Sequence, residues 1–159
     1  MGERLFMKIR INQDKTMSEI EVIVNCPTVD ARVRNLLDAL RQCAVSLTGM
    51  AEDMTVCVPL HTILYIESIN RKTFFYDENR VFRCKDSLIA LESLLEQYRF
   101  LRISKSCIVN IAQVASTYRC DNHRLGLLLR NGERLVAGRV YAAKVRERIQ
   151  QFGLSLSGT

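Results

Sequence analysis

The chain has 159 residues, 48% of them hydrophobic and 25% charged, with a formal net charge of +6 and a pI near 9.2. That length carries one good core, or one domain with a small extension, and the composition excludes global disorder. No apolar run approaches the roughly 20 residues needed to cross a bilayer, and Met1–Met7 lacks a secretory apolar core, so a cytoplasmic location is expected.

The N-terminal third reads β-β-α. Met7–Ile11 and Ile20–Val24 alternate apolar and polar residues with period two, the pattern of half-buried strands. Cys26-Pro27-Thr28 then ends the extended chain, and Thr28 or Asp30 is placed to cap a helix. In that helix Val29, Val33, Leu36, Leu37, Leu40, Ala44 and Leu47 fall on one face, a stripe that must bury against the rest of the chain or a second copy. Thr48–Asp53 is the expected boundary, giving a β-β-α extension over 1–50 and a second unit over 51–159.

From residue 54 the texture changes to short strands separated by turn signals. Met54–Val58, Ile63–Ile69, Lys72–Tyr76 and Val81–Lys85 are expected strands, with Asp77–Arg80 as a hairpin loop. Ser87 is placed to cap a helix reaching Gln97, with Leu88, Leu91, Leu94 and Leu95 inward. Arg102–Asn110 reads as short extended pieces around a polar bend, and Val114–Tyr118 with Arg124–Leu129 as a strand pair. Asn131-Gly132 is the strongest hairpin signal and predicts a type I′ turn with positive φ at both positions. A helix from about Arg139 to Phe152 ends the chain. The fold class is mostly β with small helices.

Motifs of catalysis are missing from the sequence. It has no glycine-rich phosphate loop, no Gly-x-Ser-x-Gly and no His-Glu-x-x-His. Lys105 separates Ser104 from Ser106, and a strand neighbour points to the opposite face, so it is poorly placed to activate either hydroxyl. The six cysteines are widely spaced and His61 and His123 lie far apart, so buried thiols are expected rather than disulfides, and no metal or cofactor. Charge is uneven: residues 1–50 carry +1 and residues 51–159 carry +5, which permits a polyanionic partner without demanding one. Phe74 and Tyr76 can share a sheet face, a pair that suits packing better than a stacking platform for single-stranded RNA.

Five stretches in order carry a resemblance: Ile63-Leu-Tyr-Ile-Glu-Ser68, Ser87-Leu-Ile-Ala-Leu-Glu92, Phe100-Leu-Arg-Ile-Ser-Lys-Ser-Cys-Ile-Val-Asn110, Asn131-Gly-Glu133 and Val136-Ala-Gly-Arg-Val-Tyr141. Over about 54–152 the chain resembles the LytTR family of DNA-binding domains. The resemblance implies an elongated β core that inserts loops into successive major grooves of paired promoter repeats. It also implies three contact loops: Asn70, Arg71, Lys72 and Thr73 after Ile69; the bend with Arg102, Ser104 and Lys105; and the Arg139 turn. Arg139 is the foremost base-reading residue, because a guanidinium can fork onto guanine O6 and N7. Ser104, where many members carry histidine, suits a phosphate better than a base. Thr73 can touch a thymine methyl, or be an ordinary strand threonine. Arg102 has either a contact or a fold role, whereas Asn110 is expected to be structural. Gly138, where serine is common, weakens the helix cap.

Some 50 residues precede the match, too few for a receiver domain. The chain resembles stand-alone regulators of this family, some of which are accompanied by a small restraining membrane protein. The expected function is sequence-specific binding of double-stranded promoter DNA, as a homodimer and without catalysis. The alternative is a protein-interaction module that has lost DNA binding. The extension either completes the core or dimerises.

Overall fold

Asp30 sets the start of the first helix by accepting the backbone amides of Arg32 at 3.0 Å and Val33 at 3.1 Å on its Oδ1, which satisfies two otherwise orphaned donors. The computed structural model describes residues 7–152, and in it this helix, α1, runs Ala31–Ala44. Upstream, the two expected strands are absent: residues 7–11 and 20–23 are exposed and Val24 is half-buried, and neither segment pairs with any strand among the described residues. Alternation alone does not make a strand, whose backbone groups need a neighbour to bond.

Of Thr48–Asp53, expected as a boundary, Thr48–Ala51 is strand and Glu52-Asp53 a hairpin turn. β1 (Ser46–Ala51) pairs antiparallel with β2 (Met54–Pro59) across a two-residue turn at Glu52-Asp53, with φ of 49° and 64°. A 3-10 turn at Leu60–Thr62 delays β3 to Tyr65–Ile69. β4 (Lys72–Tyr76), β5 (Val81–Cys84), β6 (Phe100–Ser104) and β7 (Cys107–Asn110) complete a seven-stranded sheet in the order β2-β1-β5-β4-β3-β7-β6. Between β5 and β6 the helix α2 (Leu88–Leu95) starts at Ser87, whose Oγ accepts the Ala90 amide at 3.2 Å.

β8 (Val114–Arg119), β9 (Leu125–Leu129) and β10 (Arg134–Ala137) form a second, three-stranded sheet, and α3 (Arg139–Gln151) follows. The β9–β10 turn is not type I′. Only Gly132 has positive φ (+92°), with the Gly132 amide on the Leu129 carbonyl at 3.0 Å and the Leu129 amide on the Glu133 carbonyl at 2.8 Å. That is a type I turn closed by a left-handed glycine, and Asn131 meanwhile accepts the Glu133 amide at 3.1 Å.

Two cores result. Phe75, Phe82, Ile66, Phe100 and Ile108 on one face of the large sheet bury Leu88, Leu91 and Leu95 of α2. On the other, Leu101, Ile103 and Val109 pack with Leu127 and Leu129 of the small sheet and Ala142, Val145 and Ile149 of α3. Asn110 sits between these, fully buried: its amide donates to the carbonyls of Ile63 (2.8 Å) and Leu60 (3.3 Å), and its Oδ1 accepts from Gln42 of α1 at 3.1 Å. Arg99 ties α1 down further, reaching Asp38 at 2.7 Å and lying over the Phe152 ring at 4.0 Å. α1 is therefore docked onto the β domain.

Candidate nucleic-acid interface

β3 and β4 are joined by Asn70-Arg71, both in the left-handed region with φ of 50° and 62°. This is the primed two-residue turn whose twist matches a hairpin, and here no glycine provides it. Because β3 runs antiparallel to β7, the β3–β4 turn and the β6–β7 bend at Lys105-Ser106 lie at the same end of the sheet. The Ser68 amide donates to the Ser106 carbonyl at 2.8 Å and locks them side by side.

A second bond brings in the start of α3. The Gly138 amide donates to the Ile103 carbonyl at 2.8 Å, which places Arg139 beside the bend that carries Lys105. No side chain caps α3, as the glycine implied; the Gly138 carbonyl accepts the Tyr141 and Ala142 amides, each at 2.9 Å. Register adds two further groups. Thr73 pairs with Cys84, so Lys72 and Lys85 adjoin at this end, and Leu125 pairs with both Ala137 and Arg119, so the β8–β9 turn over 120–124 flanks Gly138.

Arg71, Lys72, Lys85, Lys105, Arg119, Arg124 and Arg139 are exposed here, and among the described residues none joins an ion pair. Asp86 and Asp121 are the acidic residues in these connections. Between the β8–β9 turn and α3 an open groove of about 850 Å³, lined by Arg119, His123, Arg124 and Arg146, extends the basic surface. Fixed cations without carboxylate partners are what a phosphate backbone binds, and Arg139 retains a free guanidinium fork.

The structure thus gathers Asn70, Arg71, Lys72, Lys105 and Arg139 at one exposed end. Three other expected contact residues are differently committed. Thr73 is buried within β4, at 5% exposure. Arg102 is turned inward and holds the bend from beneath: Nε donates to the Ser104 carbonyl at 2.7 Å, Nη2 to the Lys105 carbonyl, and Nη1 to Glu92 at 3.0 Å. Ser104 is half-buried, its Oγ accepting the Ser106 amide at 3.1 Å. Lys85, Arg119 and Arg124 were not singled out from sequence, since only strand register sets them beside the other loops. Next to the bend, burial pushes the Cys107 thiol up to about 12, which leaves it protonated and no nucleophile near neutral pH.

Comparison with known proteins identifies the family and the fold. The family model described as the LytTr DNA-binding domain matches residues 53–150. An uncharacterized HTH-type transcriptional regulator of Staphylococcus aureus is 25% identical over 145 residues, covering 90% of this chain and 97% of that one. The sensory transduction protein LytT of Bacillus cereus is also 25% identical, over 96 residues, and there the match spans 60% of this chain and only 39% of the relative. A solved LytTr DNA-binding domain from Bacillus cereus superimposes with a TM-score of 0.61 at 29% identity, over 65% of this chain and 94% of that domain. The chain, a mostly β protein carrying a basic end, belongs to the LytTr DNA-binding domain family.

Proposed function

We propose that this protein is a transcription regulator that binds double-stranded promoter DNA sequence-specifically, as a homodimer, with its turns entering successive major grooves. One observation carries the reading: unpaired cations from separate connections stand together at one end of the sheets, held there by the Ser68–Ser106 and Gly138–Ile103 backbone bonds. In this reading Arg139 reads a base edge, and Lys105, Arg71, Lys72 and Lys85 neutralise phosphates. The work is binding rather than catalysis, and its place is the cytoplasm, where promoter DNA is found.

The test is titration of the protein against its own upstream region and against random duplex of equal length. The upstream fragment binds tighter, and Arg139→Ala lowers the discrimination by about 1–3 kcal/mol. Equal affinity for both fragments would reject sequence-specific reading; unchanged discrimination in the variant would remove Arg139 from it.

A further inference from the structure

Residues 7–29 form an arm whose large apolar side chains are uncovered: Ile11 is 89% exposed and Ile20 96%, with Met7, Ile9, Val22 and Ile23 also open to solvent. The arm already bends back on itself. The Met17 amide donates to the Asp14 carbonyl at 3.3 Å, and the Thr16 amide and hydroxyl donate to Asp14 Oδ1 at 2.8 and 2.7 Å. Its flanks nevertheless belong to no strand.

We propose that two copies of this chain pair these flanks in trans, residues 7–11 of one copy lying antiparallel to residues 20–24 of the other, twice per dimer. The inference deepens the dimeric reading above and rests on it. Charge selects the partner. The first flank carries Lys8 and Arg10 and the second includes Glu21. The first flank against its own copy therefore sets Lys8 opposite Arg10, and the second against its own copy sets Glu21 opposite Ile23, with no cation to meet it. Only the unlike flanks set a cation opposite a carboxylate. Opposed residues in an antiparallel pair share a face, so placing Ile9 opposite Val22 also sets Met7 opposite Val24 and Ile11 opposite Ile20, while Arg10 meets Glu21 on the other face. Within one chain the same pairing makes only a two-stranded hairpin, which is marginal in water. Exchange between copies gives two such pairs, whose apolar faces can cover each other and the half-buried Leu36, Leu37 and Leu40 of the two α1 helices, which a lone hairpin lacks.

Sedimentation of the full chain without DNA tests this. The wild type sediments as a dimer. The Lys8→Glu/Arg10→Glu variant and the Glu19→Lys/Glu21→Lys variant each dissociate at least about 10-fold more readily, and an equimolar mixture of the two restores a dimer, because every crossed pair is again unlike. A hairpin within one chain would be repaired only by carrying all four changes in that chain, so a mixture that stays monomeric overturns the proposal. A dimer that persists unchanged in either variant also overturns it. With no DNA in the sample, failure here counts against the pairing of the arms: a persisting dimer leaves the dimeric reading standing, and either outcome leaves the DNA reading to its own tests.

Discussion

Arg102 shows how a side chain shapes a site it does not itself present. Its guanidinium spans the Ser104 and Lys105 carbonyls and Glu92 at 15% exposure, a fork that a lysine's single ammonium cannot reproduce. Arg102→Ala is expected to lower stability by about 1.5–3 kcal/mol in urea denaturation and to weaken DNA binding by freeing the bend, with Arg102→Lys recovering little of either. A variant of unchanged stability would show that the bend holds without it. The inward orientation of Arg102 was not visible in sequence, where arginine beside lysine and serine reads equally well as contact or support. Asn110 was legible as structural, and the bonds it makes to Leu60, Ile63 and Gln42 give that role its content.

At the scale of elements, β1 owes its place to close approach. A Cβ on Gly49 would lie 2.5 Å from Phe75 Cζ and 2.8 Å from Phe82 Cβ, inside the stacked pair whose centroids are 4.9 Å apart. Gly49→Ala is expected to cost about 1–3 kcal/mol through overpacking, read as a lower urea midpoint with unchanged slope. An alanine tolerated without loss would mean that those rings shift freely. Short stretches bounded by turn signals located β3 to β5, β8 and β9 well, because each has a neighbour to pair with. Period-two alternation misled at residues 7–11 and 20–24, which pair with nothing among the described residues. β1 was missed because Thr48-Gly49 reads as a boundary until Phe75 and Phe82 are seen against it. Turns without glycine, at Glu52-Asp53 and Asn70-Arg71, were equally hidden, since Asp53 and Asn70 tolerate positive φ but Glu52 and Arg71 give no such signal.

For the whole molecule, the seven-stranded sheet has α2 on one face and the small sheet with α3 on the other, and several ionisable groups are held neutral. Burial pushes Cys107 up to about 12 and raises Cys84, Tyr65 and Tyr76 as well. In the unfolded chain the thiols ionise near the ordinary value of 9.0, so above it the native state binds more protons than the unfolded state. Stability is therefore full below about pH 9 and falls as pH climbs toward about 12, checked by denaturant midpoints across that range. A flat profile would mean that these thiols reach water. The basic end is a property of this same scale, for its cations meet only through sheet register and two backbone bonds. It is tested most directly by the slope of log affinity against log salt on the upstream fragment. Lys105→Ala and Lys85→Ala should each reduce that slope by about 1, while Arg80→Ala, in the β4–β5 loop at the opposite end of the sheet, leaves it unchanged. Equal slopes for all three variants, or a shallower slope only for Arg80→Ala, would contradict the assignment of this end to DNA.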